Sequence, residues 1–355
     1  MVPGLLAGDA IGNDVLGEYD ILRRKGFDVT IYCDRCDHRF RRIVSGPRCI
    51  RKAKVVIYHH GIDWPRGEKL LKESPARLKI LRYHNVTPSG FFRGYSPELE
   101  KLTRLGREQT PRLVRACTHF LADSAYNAKE LIGYGAPSDR CRVLPPFNHI
   151  EELLSLQADA GLLEPLIKSP AACVLSVGRQ APNKGLHHFL RIAHSFTTLF
   201  GKRARFIWVG GRDPNLSRYY SEIDNYVLAN RLHDVVFFPG KVSASRLKAY
   251  YLASKVFLML SEHEGFCVPV AEAQAFGVPV VALARAAVPE TTGENQLIFE
   301  EVDYERFAAA VAVLLANPDY RLHLASQGKD NYQKRFARQV LEAAFLGALE
   351  EVCSL

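Results

Sequence analysis

Two acids and two bases carry the chemistry legible in this chain. Glu264 and Glu272 sit eight residues apart in Ser261-Glu-His-Glu-Gly-Phe-Cys-Val-Pro-Val-Ala-Glu272. An apolar run at 256–260 leads into a polar turn containing Gly265. Pro269 then falls where the first turn of a helix tolerates a missing N–H. The amides of Gly265, Phe266, Cys267 and Val268 are therefore expected at a helix N-terminus, where they and the helix dipole favour an anion such as phosphate. A carboxylate is a poor ligand for phosphate, but it accepts hydrogen bonds from sugar hydroxyls. Hydroxyls flanking a diphosphate describe a nucleotide sugar. Taken as local structure only, the same acids are a helix cap and a surface glutamate. A second segment, Val177-Gly-Arg-Gln-Ala-Pro-Asn-Lys184-Gly, also follows an apolar strand and opens a helix. Its Arg179 and Lys184, five residues apart, offer a guanidinium fork and a point charge to one diphosphate.

The elements that must position these groups alternate in type along the chain. Short β-branched runs predict strands at 28–33, 55–58, 78–84, 118–123 and 142–144. Helices are predicted between them at 14–25, 97–116 (broken near Pro111) and 125–133. The first helix aligns Val15, Leu16, Tyr19 and Leu22 in one stripe, with Asn13 as its cap. The second half predicts strands at 172–177, 205–209, 235–238, 256–260 and 278–283, with helices at 184–200, 216–229, 245–253 and 268–276. Repeated βαβ order implies parallel sheets covered by helices on both faces. The polar, Pro-bounded stretch 145–170 separates the two runs as a linker with a short helix at 150–157, and the tail from 304 onward is helical. The fold class expected is α/β, two doubly wound Rossmann-like domains facing across a cleft, with ligands at the carboxyl ends of the strands. Residues 1–150 form the acceptor-side domain, with the helix at 335–355 packing back onto it. Residues 151–334 form the nucleotide-sugar domain.

Four motifs now agree in order: VGRQAPNKG, FIWVGG, VFFPGKVSASRLKAYY and FLMLSEHEGFCVPVAEAQAFGVPVVA. Through about residues 172–318 the chain resembles the nucleotide-sugar domain of family-4 retaining glycosyltransferases of the GT-B fold. Glu264-x7-Glu272 is similar to that family's E-x7-E signature. In the first half, Gly8-Asp-Ala-Ile-Gly-Asn13 resembles the family's glycine loop before the first helix. Tyr83-His84-Asn85 falls where the family places a His after a strand, and Ala122-Asp-Ser124 is similar to its acceptor-domain pattern. The resemblance implies that Glu272 holds the ribose hydroxyls. Glu264 then contacts the transferred sugar, near the amides of Gly265, Phe266 and Cys267, and Arg179 and Lys184 neutralise the leaving diphosphate. Gly12 lets its loop approach that diphosphate, His84 lies near the anomeric carbon or the donor's hydroxyls, and Lys241 is a candidate for the base edge; as local structure only, His84 is a buried, hydrogen-bonded strand-end histidine and Lys241 a surface lysine. Asp9 and Asn13 either meet the acceptor or cap the helix; likewise Asp123 and Ser124 line the cleft or cap the helix at 125. The chain departs from the family in two places. Only four residues precede Leu5, so the opening strand is stunted or the true start lies upstream. Cys267 stands where the family has a small residue, often Gly, which crowds the helix N-terminus or exposes a thiol.

The implied reaction is retaining transfer of a sugar from a nucleotide diphosphate sugar, with UDP the favoured base, to a hydroxyl of a glycan or lipid-linked acceptor. It draws on no cofactor and no metal. An epimerase or phosphorylase of the same fold, or a non-enzymatic nucleotide-sugar binder, shares the donor motifs. No segment singles out the Schiff-base lysine that a pyridoxal-phosphate phosphorylase needs.

Composition sets the remaining bounds. The chain has 355 residues, 47% hydrophobic and 24% charged, which excludes disordered, collagenous and coiled-coil classes. The longest apolar runs fall far short of the ~20 residues that span a bilayer, and no basic-then-apolar leader opens the chain, so a cytoplasmic location is expected. Net charge is +9, and residues 23–54 hold 11 Lys/Arg against Asp28, Asp34 and Asp37. That basic stretch is either a solvated face or a peripheral contact with anionic membrane at its inner face or with a phosphate-bearing acceptor. No nucleic-acid motif accompanies it. Eight Cys are too sparse for a disulfide scaffold. Cys117, Cys141, Cys173, Cys267 and Cys353 are expected as small buried hydrophobes. Cys33, Cys36, His38 and Cys49 have part of a zinc-site spacing but lack a second close ligand pair.

Overall fold

The computed structural model describes residues 1–6 and 8–354, without the side chains of Cys353 and Ser354, so the expectation for Cys353 lies outside the described residues. The chain divides into two compact units. The first takes Met1–Gly90, Glu98–His149 and the C-terminal stretch from Ala337; the second takes Phe91–Pro97 and Ile150–Phe336.

In the first unit a two-stranded parallel pair, β1 (Gly4–Leu5) and β2 (Arg35–Cys36), accompanies a four-stranded parallel sheet in the order β3 (Val55–His60), β4 (Leu78–Tyr83), β5 (His119–Ala122) and β6 (Cys141–Val143). Helices α1 (Ala10–Arg24), α2 (Pro65–Glu73), α3 (Pro97–Ala116) and α4 (Ala125–Gly133) connect the strands. Tyr58, Leu81, Tyr83, Phe120 and Leu113 are fully or almost fully buried in one core cluster.

The run at 28–33 does not form the expected strand. It keeps one isolated parallel bridge, Ile31 to Val44, and Val2 N–H donates to the Tyr32 carbonyl. Its alternation of apolar residues seats Ile31 and Cys33 against Val2, Leu5 and Val15 without a continuous ladder. Helix α3 also departs from expectation, because it runs through Pro111 unbroken. Tertiary anchors hold it on both sides of the proline. Trp64 N–H donates to Gln109 Oε1 at 3.0 Å, Thr110 Oγ1 lies 2.9 Å from His60 Nε2, Arg112 pairs with Glu68, and Leu113 is fully buried.

The second unit carries a six-stranded parallel sheet, in the order β12-β11-β10-β7-β8-β9. These strands are β7 (Ala172–Val177), β8 (Ala204–Val209), β9 (Val236–Gly240), β10 (Ser254–Met259), β11 (Val280–Leu283) and β12 (Leu297–Phe299). The stretch read as a linker holds two helices, α5 (Ile150–Ser155) and α6 (Ala160–Lys168), because Leu153, Leu162, Leu163 and Leu166 pack on this unit's core. The remaining helices are α7 (Leu186–Phe200), α8 (Ser217–Ala229), α9 (Ala244–Ala253), α10 (Val268–Ala275), α11 (Val288–Thr292), α12 (Tyr304–Ala316) and α13 (Pro318–Arg335). The last helix, α14 (Arg338–Ser354), belongs to the first unit, where Leu341 and Phe345 are buried with Ile21, Ile80, Leu121 and Phe147. Among the described residues no helix is long and apolar enough to cross a membrane.

Candidate functional site

At the carboxyl ends of β7, β8 and β9 the chain keeps hydrogen-bonding past the strands. Gly178 N–H donates to the Val209 carbonyl and Gly210 N–H to the Gly240 carbonyl, both at 2.9 Å, and Gln180 bridges to Arg212. Three loops therefore run side by side, carrying exposed Arg179, Arg212 and exposed Lys241. The loop after β10 joins them through Glu262 N–H, which donates to the Asn183 carbonyl at 2.9 Å. Gly185 is the hinge of this arrangement. Its φ is +74°, and a Cβ there would lie 1.9 Å from the Leu260 carbonyl oxygen, so only glycine lets the Lys184 turn press onto the end of β10.

That close approach brings Lys184 to Glu264. Nζ lies 2.7 and 2.8 Å from the two carboxylate oxygens, and the side chains keep 21% and 12% exposure, enough for a ligand to reach them. Glu272 is reached from another side. Tyr251 OH donates to its Oε2 at 2.6 Å. Burial raises the Glu272 pKa above the usual glutamate value, and the Tyr251 bond opposes that shift. Helix α10 opens at Val268 with Pro269 in its first turn, and Thr291 Oγ1 donates to the Phe266 carbonyl, fixing the turn before it. Cys267 caps the helix at φ +87°, in the left-handed region that favours glycine. Its thiol is not exposed, in contrast to one of the two expectations. It is buried in the core cluster with Val270 and Ala273, and burial pushes its pKa well up.

The remaining candidates stand in the first unit. Gly12 and Asn13 are not in a loop. They lie in the first turns of α1, whose cap is Asp9, with Gly12 N–H donating to Asp9 Oδ2 at 3.2 Å. Asn13 is thus inside the helix rather than its cap, since Asp9 already satisfies a free amide of the first turn. The stripe expected on α1 is only half-buried at Leu16, Tyr19 and Leu22; the deepest face is Asp14, Val15, Glu18 and Ile21. Two acids are tolerated there because buried Arg82 meets them. Its Nε donates to Asp14 Oδ2 at 2.8 Å, its Nη1 donates to the Leu144 carbonyl at 2.6 Å, and its Nη2 lies 3.2 Å from Asp123 Oδ1. Asp14 Oδ1 also accepts from Phe147 N–H at 2.7 Å. Ser124 caps α4, accepting from Asn127 N–H, while Asp123 faces this buried cluster.

His84 belongs to the same cluster. Its Nδ1 lies 2.9 Å from Asp123 Oδ2 and its Nε2 lies 3.0 Å from His59 Nδ1, with 5% of the side chain exposed. Burial lowers the His59 pKa well below its ordinary value and raises that of Glu18 well above, with Asp14 adding to the Glu18 shift. Sequence reasoning missed Asp14, Glu18, His59 and Arg82 as functional candidates. Charged and imidazole groups at the buried end of strands β3 and β4 were the available signal. It also missed Arg212, which donates to Gln180 Oε1, pairs with Asp224 and lies over the Tyr220 ring.

Among the described residues, convergent sets of metal-ligating side chains occur at Asp14, His59 and His84 and at His187, His188 and Glu262. Cys33, Cys36, His38 and Cys49 do not gather into such a set: Cys33 is buried, and the His38 ring, 83% exposed, pairs with Asp37.

The fold is GT-B, α/β with a parallel sheet in each of two Rossmann-like units. The structure of Anabaena HepE in complex with UDP and glucose superposes with a TM-score of 0.78 over 99% of both chains, at 15% identity. In sequence, residues 164–331 match the family described as glycosyl transferases group 1. A D-inositol 3-phosphate glycosyltransferase from Acidothermus cellulolyticus is 30% identical over 220 residues, 60% of this chain and 48% of that protein. The putative colanic acid biosynthesis glycosyltransferase WcaL of Salmonella typhimurium is 27% identical over 278 residues, 73% of this chain and 61% of that protein. The chain spans about half the length of the curated relatives it matches.

Proposed function

We propose that this chain is a group 1 glycosyltransferase that moves a sugar, with retention, from a nucleotide diphosphate sugar to a hydroxyl of a glycan or lipid-linked acceptor. The observation that carries the reading is the Lys184–Glu264 ion pair at the carboxyl edge of one parallel sheet, with Arg179 on the loop after β7 and Glu272 on helix α10 that follows Glu264. The similarity of residues 164–331 to glycosyl transferases group 1 covers that edge. Lys184 and Arg179 receive the charge that develops on the departing diphosphate, together with the amides before α10, so the donor phosphates draw on no metal. Glu272 accepts from the ribose hydroxyls, and Glu264 turns from Lys184 to the hydroxyls of the transferred sugar. Gly265, Phe266 and Cys267 supply backbone donors, and Lys241, beside Gly211, meets the base edge. UDP is the favoured base.

The first unit carries the acceptor side. Asp9, Gly12 and Asn13 present the first turn of α1 to it. His84 enters as a positioning residue for the segment after β4, since both its ring nitrogens are engaged inside the unit. The basic stretch 23–54 gives a peripheral contact with anionic membrane or with a phosphate-bearing acceptor, and the location is cytoplasmic. A binder without turnover retains the same donor groups; slow hydrolysis of donor in the absence of acceptor separates the two.

The deciding experiment is thermal stabilisation by UDP, GDP, ADP and their sugars, with Glu272→Ala alongside. A ligand at 100 times its Kd adds about 2.7 kcal/mol. A shift for one base that vanishes in the variant supports the site. No shift with any nucleotide removes the donor assignment.

A further inference from the structure

We propose that Asp14, His59 and His84 form a binding site for one divalent transition-metal cation in the first unit, with zinc the best fit to the donor set. The site stands independently of the sugar-transfer reading.

The three ligand atoms come from three elements, α1, β3 and the end of β4. His59 Nδ1 lies 3.0 Å from His84 Nε2 and 3.8 Å from Asp14 Oδ2, and His84 Nε2 lies 3.7 Å from the same oxygen. The circle through three atoms so spaced has a radius of roughly 2.0 Å (product of the sides over four times the area), which is the length of a Zn–N or Zn–O bond. A cation in their plane would sit at bonding distance from all three without any side chain moving. Two imidazoles and one carboxylate are borderline donors that suit zinc, and three protein ligands leave further positions for water.

The outer partners fit as well. Each histidine turns its other ring nitrogen to a carboxylate: His59 Nε2 to Glu18 Oε2 at 3.2 Å, and His84 Nδ1 to Asp123 Oδ2 at 2.9 Å. Metal-bound histidines are oriented in this way. If both donate outward, the two facing nitrogens are bare lone pairs 3.0 Å apart, which a cation between them satisfies; without a cation, one ring proton turned inward makes the same contact a hydrogen bond. Charge points the same way. Asp14 and Asp123 are buried against one buried arginine, Arg82, leaving −1 with Glu18 neutral, the form its burial favours, and −2 with Glu18 ionised. Glu18 Oε1 and Asp123 Oδ1 are buried and make no hydrogen bond of good geometry, meeting only the Arg82 guanidinium at 3.6 and 3.2 Å. A divalent cation offsets that surplus.

The test uses the full chain, stripped with chelator and re-equilibrated with zinc chloride, with bound metal read by elemental analysis. The expected result is one zinc per chain and a raised melting temperature, both lost in His59→Gln and His84→Gln. His187→Ala and Cys36→Ala should keep the metal, because they disturb the other histidine cluster and the cysteine segment. If the histidine variants fail to fold, cobalt(II) added to the unaltered chain decides: intense d–d absorption of a low-coordinate N/O site supports the proposal, and the spectrum of the free aquo ion overturns it. Zinc retained in folded His59→Gln, zinc lost in His187→Ala, or no zinc bound by the unaltered chain each overturn it. The last outcome leaves a proton chain running from Glu18 through His59 and His84 to Asp123.

Discussion

Lys184 and Glu264, eighty positions apart, form a two-pronged ion pair at the edge of the second unit's sheet. Lys184 is therefore already committed to an acid before any diphosphate arrives, and the two variants should behave differently. Lys184→Ala should weaken binding of the nucleoside diphosphate and lower kcat by about 10²–10³-fold, the scale of losing one transition-state donor. Glu264→Gln should leave diphosphate affinity unchanged or tighter, since Lys184 is released, while kcat falls. Calorimetric titration beside steady-state kinetics checks the split; equal losses of affinity in both variants would refute it.

Glu272→Gln should uncouple stability from binding. Burial raises the pKa of this carboxyl, so the folded state binds its proton more tightly than the unfolded chain. Its contribution to stability is full below the ordinary value of 4.5 and declines as pH rises through the raised value. The neutral variant should thus melt higher than the parent at pH 7, with the gap closing below pH 4.5, yet bind nucleotide more weakly because an amide accepts less strongly from ribose hydroxyls. Melting curves from pH 4 to 8, with and without nucleotide, test both halves.

Gly185→Ala should damage the Lys184 turn through the backbone. The added methyl meets the Leu260 carbonyl at 1.9 Å, and the φ of +74° disfavours any side chain. A loss of about 3 kcal/mol in denaturant unfolding is expected, at the upper end for single substitutions, with nucleotide affinity reduced in whatever protein folds. Full stability would show that the Lys184 turn is not pressed onto β10.

Cys267 carries strain of its own making. Replacing it by Gly removes the left-handed penalty of about 1–2 kcal/mol but also a buried thiol, so stability should change by less than about 1 kcal/mol. Cys267→Val adds a methyl group and β-branching at φ +87°, and should lose more than the Gly variant. Chemical denaturation of the pair gives the order. The buried thiol, its pKa raised, should also react slowly with alkylating reagents in the folded chain.

Arg82→Met tests the cluster in the first unit. It leaves Asp14 and Asp123 buried without their cation, at a cost of about 3–5 kcal/mol. A small effect would mean that another positive charge compensates the acids, which zinc titration of the same variant would reveal.

The features read correctly from sequence share one property: their signals are local. The apolar run before Ser261, the Gly265 turn and Pro269 announce strand, loop and helix within a dozen residues, and β10 and α10 form there. The Lys184 loop follows the same grammar, and alternating strands and helices foretold parallel sheets in both halves. Non-local partners decided the rest. The face of α1 that lies deepest was unreadable, because Asp14 and Glu18 are tolerated inside by distant partners, above all Arg82, 68 and 64 positions away. Asp9 rather than Asn13 caps that helix because its side chain reaches Gly12 N–H. Helix α3 survives Pro111 because β3 and α2 grip it from outside the helix. The run at 28–33 is apolar enough for a strand, yet a ladder needs a partner in register, and only Val44 bridges to it. The sequence by itself determined most of the elements and the residue types at the carboxyl edge of the second unit's sheet. Tertiary structure decided which charges are buried together, because burying a charge is allowed only where a partner from another part of the chain meets it.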